Sequence, residues 1–257
     1  MTTYKSIVGQ KIQKVTSDPP AATGGQIWYN TTKGTLRGLP FLSAWSSGGA
    51  LSNARRATRG AGAQAASFVC GGGTEDDDGV ATEEYNGNGF SVGGSLNQGR
   101  NFHAAAGTQT SGLAFGGASP QNVEYAQTEE YDGSSWTESG DLSQARQALG
   151  GCGTQTAALA FAGSEYVPTT NNFNITEEYN GTSWTNGGAM NTTVQGMGSA
   201  GTQTAALSFG GNEPTLTTTE EYNGSSWTVV NSMSTARVGL AGAGIQTSAL
   251  AFGGTTD

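Results

Sequence analysis

Four arginines recur at one register of this chain. Arg55, Arg100, Arg146 and Arg237 each lie ten residues after an aromatic (Trp45, Phe90, Trp136 and Trp227), and Val194 takes that place after Trp184. A guanidinium fork suits two chemistries: converging cations can hold an anionic ligand, or each can pair with a carboxylate inside the fold. The recurring string T-E-E-Y supplies such carboxylates as Glu83-Glu84, Glu129-Glu130, Glu177-Glu178 and Glu220-Glu221. Adjacent residues of a strand point to opposite faces, so the two glutamates of one string cannot act as an acid–base dyad. That argues against a glycosidase, which needs two carboxyls converging on one bond.

Other reactive groups are few. The single histidine, His103, excludes a multi-histidine metal site within one chain, and two cysteines make neither a four-cysteine zinc site nor a disulfide scaffold. Cys70 and Cys152 are expected as buried free thiols. Glu75-Asp76-Asp77-Asp78 is the densest acidic cluster. It lacks the spaced D-x-D-x-D-G pattern of a calcium loop and reads as a solvated charge run. No cofactor, metal or catalytic residue is expected, and the protein is expected not to be an enzyme. Residues 1–70 carry eight of the eleven cations and one of the twenty acids, so a basic end joins an acidic body. Such a body is unsuited to nucleic acid. No segment approaches the roughly 20 apolar residues of a membrane helix, and the opening M-T-T-Y-K-S-I-V-G-Q-K has no apolar stretch of a secretory signal.

A repeat must position these groups. The string A-G-T-Q-T-x-x-L-A-F-G-G recurs with its glutamine at Gln64, Gln109, Gln155, Gln203 and Gln246, a period near 45 residues. T-E-E-Y-N/D-G-x-x-W recurs with Tyr85, Tyr131, Tyr179 and Tyr222. Each unit reads as four short strands. A glycine-rich inner strand allows close approach at a crowded axis. T-A-A-L-A-F follows, with Phe115, Phe161, Phe209 and Phe252 in one slot and Cys70 there in the first unit. T-T-E-E-Y is third, an N-G or D-G predicts a tight hairpin, and the tryptophan opens the fourth strand. Four strands per period, repeated, predict a β-propeller.

These residues resemble kelch repeats: R-x-x-H at Arg100 and His103, a G-G pair, a tyrosine before a turn, then a tryptophan. The resemblance covers about residues 40–254. The T-E-E-Y-N-G-S-S-W dialect is similar to kelch-like repeats in virion proteins of marine tailed bacteriophages, and G-G-Q-I-W-Y-N-T-T-K-G-T-L-R resembles segments at the start of phage tail and fibre proteins. The resemblance implies a virion protein: a tail-fibre, tail-associated or capsid-surface component, present in several copies or as a homo-oligomer beside other virion proteins. Kelch relatives also include sugar-acting enzymes such as galactose-oxidase-like proteins, and peptide-gripping adaptors.

Five inner-strand pairs and four full outer halves predict an all-β, five-bladed propeller over residues 25–257. Its ring is expected to close when N-terminal outer strands join the C-terminal inner pair. Either Ile27–Asn30 or Leu36–Leu39 would be the third strand, and Trp45–Leu51 the fourth. Residues 1–24 are expected to form an arm. It either anchors the protein on a neighbour, with Lys5, Lys11 and Lys14 as docking cations, or lies on its own propeller. The loops between second and third strands vary most, and variable loops on a rigid scaffold carry binding. In them Tyr125, Tyr166 and Phe173 suit sugar stacking, and Asn171 and Asn172 suit hydroxyl recognition, so the loops are expected to contact a host-surface glycan or another virion protein, or else to be polar filling or to pack on a sister subunit. The arginines at 55, 100, 146 and 237 either present cations to a ligand or tie blades together through a T-E-E-Y glutamate.

Overall fold

The computed structural model describes residues 13–18, 27–38, 48–73, 79–166, 169–212 and 215–256. The described residues contain no helix, and the chain divides into two compact units, Met1–Ser47 and Gly48–Asp257. That division falls beyond the expected boundary at residues 24 and 25.

In the first unit β1 (Gln13–Val15) pairs in parallel with β2 (Ile27–Asn30), which pairs antiparallel with β3 (Thr35–Gly38). One carboxylate organises it. Asp18 accepts hydrogen bonds from Trp28 Nε1 at 3.0 Å and Asn30 Nδ2 at 2.8 Å, and ion-pairs with Lys33 and Arg37. These donors, Trp28 and Asn30 first, hold its carboxyl well below the usual carboxylate range. Lys14 is exposed, while Lys5 and Lys11 lie outside the described residues.

The second unit is a series of antiparallel sheets laid down in chain order. The first is β4 (Arg59–Ala63), β5 (Ala66–Cys70), β6 (Thr82–Tyr85) and β7 (Phe90–Val92); the second is β8 (Ala104–Thr108), β9 (Ser111–Phe115), β10 (Thr128–Tyr131) and β11 (Trp136–Ser139). In the third, β12 (Gly150–Thr154) and β13 (Ala157–Phe161) are followed by a separate hairpin, β14 (Ser164–Tyr166) with β15 (Thr170–Asn172), before β16 (Thr176–Tyr179) and β17 (Trp184–Asn186). The fourth is β18 (Gly198–Thr202), β19 (Ala205–Phe209), β20 (Thr219–Tyr222) and β21 (Trp227–Val230). β22 (Val238–Ile245) and β23 (Ser248–Thr255) form a fifth sheet, two-stranded among the described residues. Inner strands pack in succession, β4 on β8, β8 on β12, β12 on β18 and β18 on β22. An all-β chain of repeated four-stranded antiparallel sheets is consistent with a β-propeller.

Two sequence expectations differ from this topology. Neither β2 nor β3 pairs with β23: both are engaged with β1 and each other, in a sheet pinned by Asp18. Trp45 to Ser47, the start of the expected fourth strand, lies outside the described residues. The N-G and D-G turns are also longer than a two-residue hairpin. Four residues separate Tyr85 from Phe90 and Tyr131 from Trp136. The leading side chain makes the loop: Asp132 Oδ1 accepts from the backbone N–H groups of Ser134 and Ser135, both at 2.8 Å, and Asn86, Asn180 and Asn223 do the same.

Three side-chain ties join each full sheet to the one before it. The glutamine of A-G-T-Q-T reaches back to two carbonyls: Gln155 Nε2 donates to Gly112 O at 3.0 Å and Tyr131 O at 2.8 Å, and Gln109 and Gln203 repeat this. The tryptophan N–H crosses to a buried threonine, Trp136 to Thr82, Trp184 to Thr128 and Trp227 to Thr176, each at 2.9 Å. The T-E-E-Y tyrosine crosses to the second glutamate of the preceding string: Tyr131 Oη to Glu84 at 2.7 Å, Tyr179 to Glu130 at 2.6 Å and Tyr222 to Glu178 at 2.5 Å. Between them lies the core, where Phe115 meets Trp184 and Phe161 meets Trp227 with ring centres 4.9 and 4.8 Å apart. Where Cys70 replaces that phenylalanine, Phe68 meets Trp136 instead. Among the described residues the fifth sheet keeps only the glutamine tie, Gln246 to Ala206 O and Tyr222 O, and its Leu250 is 61% exposed where Leu113 and Leu159 are fully buried.

Candidate functional site

The recurring arginines are part of the frame. Arg55, Arg100 and Arg146 pair with the first glutamate of their own sheet's T-E-E-Y: Glu83 at 2.9 Å, Glu129 at 2.7 Å and Glu177 at 2.6 Å. Arg100 and Arg146 are fully buried, which leaves neither of them a surface to offer a ligand. Each pair fastens the segment entering an inner strand to the third strand of the same sheet. The ties between sheets come from the second glutamate, so the two carboxylates of a string do point to opposite faces. Arg237, whose sheet has no T-E-E-Y, is half-buried and donates to Gly253 O at 3.3 Å. Val194 leaves Glu220 without an arginine. Three N–H donors still hold it, Asn191 N, Asn191 Nδ2 and Thr192 N, at 2.9 to 3.0 Å, as Asn97 and Gln98 hold Glu129 beside Arg100.

Two residues after each arginine position the backbone turns left-handed. Ala57, Phe102, Ala148, Gly196 and Gly239 have φ of 55, 53, 51, 64 and 67°. Their amides form a chain across the sheets: Phe102 N donates to Ala57 O, Ala148 N to Phe102 O, Gly196 N to Ala148 O, and Gly239 N to Gly196 O, at 2.8 to 3.1 Å. Three non-glycine residues held at positive φ cost backbone energy, and the chain of hydrogen bonds is what keeps them there.

Beside this chain opens the candidate site, a depression of about 370 Å3 with Phe102, Ala148, Ser164, Tyr166 and Gln195 in its wall. Tyr166 and Phe102 are 47% and 44% exposed, unusual for aromatic rings in this molecule. Asn122, Gln147 and Thr170 complete the lining. Gln147 Nε2 donates to Glu124 at 3.1 Å, and Glu124 also takes the Tyr166 N–H at 2.9 Å, which fixes the β14–β15 hairpin over the neighbouring loop. Ser164 Oγ donates to Gln195 Oε1 at 2.7 Å, while Gln195 Nε2 makes no hydrogen bond among the described residues. Two flat apolar rings beside oriented amides and hydroxyls can stack on and hydrogen-bond a polyhydroxylated ligand.

Of the loop residues expected to bind, Tyr166 lines this depression. Tyr125 is half-buried, with its N–H on Gly117 O at 2.7 Å. Asn171 Nδ2 donates to Glu165 at 3.3 Å, Asn172 Nδ2 to Asn212 O at 3.4 Å, and Phe173 N to Gly163 O at 2.8 Å. These stabilise the hairpin loop. Phe102, Gln147 and Gln195 were missed by sequence reasoning, although all lie one or two residues after the arginine register. Glu75–Asp78 lies outside the described residues, which contain no group of three or more metal-ligating side chains.

The buried nucleophiles are quiet. Cys70 Sγ lies 3.4 Å from His103 Nε2. Burial pushes the Cys70 and Cys152 thiols up to about 12. Burial first, then the Arg100 and Arg59 charges, holds His103 well below its ordinary value and therefore neutral. Both cysteines are free and lie in sheets that are not neighbours.

No protein-family model matches the chain, and comparison with curated proteins finds no match.

Proposed function

We propose that this protein is a non-enzymatic virion component of a tailed phage. It is a five-bladed, kelch-like propeller whose N-terminal unit docks on other virion proteins and whose loop face contacts a host-surface glycan. The observation that carries the glycan reading is the depression beside the left-handed backbone chain, which exposed Phe102 and Tyr166 line together with Gln147 and Gln195. Its chemistry is recognition by stacking and hydrogen bonding, which suits sugars. A single site of this size binds weakly, and several copies on one particle raise the avidity. The test is a glycan array probed with the protein and with Tyr166→Ala and Phe102→Ala. Loss of the signal in both variants, with unchanged melting curves, supports the reading. No binding by the parent protein at high concentration refutes the glycan reading. Mass spectrometry of purified particles tests the virion reading separately: absence from the particle refutes it.

The five-bladed count rests on the segment just before Leu51. A Cβ on Gly48 would meet Tyr85 Oη at 3.1 Å, and one on Gly49 would meet the Asn88 carbonyl at 2.9 Å. Gly93 and Gly94, at the end of β7, stand in the same way against Tyr131 Oη and the Ser134 carbonyl; Gly187 and Gly188, after β17, stand against Tyr222 Oη and the Ser225 carbonyl. Gly48-Gly49 therefore meets the first sheet as the glycines ending β7 and β17 meet the sheets that follow them, which supports the segment ending at Leu51 as the end of a fourth strand of a preceding, fifth sheet. Closure removes exposed sheet edges. Disulfide trapping between cysteines introduced at Ala50 and along β23, in the protein lacking its own two cysteines, should occur only if the ring closes in this way.

A further inference from the structure

The axis of the Gly48–Asp257 unit holds a second cavity, of about 270 Å3, onto which all five inner strands open through Gly60, Ala105, Gly151, Ser199 and Gly242. Its lining contains one charged residue, Arg59. The register shows how unusual that is. Arg59 pairs with Cys70, as Ala104 pairs with Phe115, Gly150 with Phe161, Gly198 with Phe209 and Ala241 with Phe252. Every other sheet has alanine or glycine where the first sheet places a guanidinium.

Arg59 also lacks what the other inner arginines have. Arg55, Arg100 and Arg146 each meet a glutamate, whereas among the described residues no carboxylate pairs with Arg59. One of its terminal nitrogens donates to Thr58 O at 3.0 Å, and the fork makes no other hydrogen bond among the described residues. Arg59 is half-buried, and that burial lowers its pKa. A half-buried guanidinium with no carboxylate beside it is a ready partner for an anion, since charge-assisted hydrogen bonds from its fork are the strong kind. The cavity has the room: a water takes about 30 Å3, so a phosphate-sized ion and several waters fit.

We infer that the axial cavity binds a small oxyanion, of the phosphate, sulfate or carboxylate kind, held by the Arg59 fork. At Gly150 and Gly198 the paired phenylalanine ring fills the equivalent place, whereas the smaller Cys70 leaves it to Arg59 in the first sheet, and the planar fork supplies two parallel donors. This is independent of any glycan bound at the loop face, because the two cavities share no residue.

Isothermal titration at constant ionic strength with sodium phosphate, sodium sulfate and sodium acetate tests it, on the full chain and on Arg59→Ala and Arg59→Lys. Alanine already stands at two equivalent positions, so Arg59→Ala is expected to fold, which its melting curve in chloride checks. The lysine variant keeps the charge and the stem without the fork. Expected is saturable one-site binding of at least one of the three anions, weakened at least tenfold in Arg59→Ala and less in Arg59→Lys. Preference among the three identifies the anion's shape. The inference is overturned if the parent protein binds none of them, or if Arg59→Ala binds as tightly as the parent.

Discussion

Replacing Arg146 by valine repeats, in the third sheet, the exchange already present at Val194 in the fourth. The consequences should differ, and the structure says by how much. Arg146 and Glu177 have fully buried side chains 2.6 Å apart. Arg146→Val leaves Glu177 with the Ser143 N–H at 2.8 Å as its remaining donor among the bonds described. Stranding one partner of a buried ion pair costs about 3–5 kcal/mol. At about 2–4 °C per kcal/mol for a chain of this size, Tm should fall by about 6–20 °C. Glu220 escapes this because Asn191 donates through both its backbone and its side chain. Ser143 occupies the position equivalent to Asn191, so Ser143→Asn added to Arg146→Val should restore a hydrogen bond to a charged group, about 1.5–3 kcal/mol. Thermal and guanidinium melts of the two single variants and the double variant form the cycle. A loss below about 1 kcal/mol in Arg146→Val, or no recovery on adding Ser143→Asn, would refute the reasoning that the buried carboxylate's donors decide stability here.

Three further outcomes follow from the ties between sheets and the buried thiols. Trp184→Phe keeps the ring contact with Phe115 but leaves the buried Thr128 hydroxyl without its indole partner, so a loss of about 1–3 kcal/mol is expected in denaturant melts. Burial first, then the glutamate acceptors, pushes Tyr131, Tyr179 and Tyr222 up to about 12 from 10.0. Below pH 10 both states hold these protons; between about 10 and 12 the unfolded chain loses them first, so stability should fall as pH rises through that window. Ultraviolet titration of tyrosinate beside circular dichroism checks this, and ionisation of all eight tyrosines near 10 in the folded protein would contradict it. Cys70 and Cys152 should resist a thiol-reactive dye at pH 8 in the native state and react once denatured.

The repeat period and the strand order were legible because period and residue type recur together, whereas the sequence left open whether the arginines served a ligand or the fold and which glutamate they met. Gln109, Gln155 and Gln203 stood out in the sequence for the same reason that they matter in the fold: each donates to two carbonyls of the preceding sheet. The candidate site was less legible. Its rings and amides, Phe102, Gln147 and Gln195, fall at positions where the repeat varies, next to an arginine that draws attention to itself and is wholly consumed by a carboxylate. Tyr166 drew notice because it lies in an aromatic, asparagine-rich loop, whose Asn171 and Asn172 donate to Glu165 and to Asn212 O. Arg59 was invisible as a site because one arginine among several in a basic stretch carries no pattern. Only the register, which sets it against Ala104, Gly150, Gly198 and Ala241, shows it to be out of place. The pairing of β2 with β1 depends on Asp18 reaching Trp28 and Asn30 across ten and twelve residues, a contact that no period announces.

The clamps between neighbouring sheets all run the same way, from a later unit back to an earlier one, through the same glutamine, tyrosine and tryptophan. The array thus has a head and a tail, like a row of interlocking tiles. A gene segment of one period, copied or excised in frame, would present matching tongues and grooves at both new joints. The number of sheets can therefore change in a single recombination event with no new interface to evolve, while the loops on each tile diversify independently.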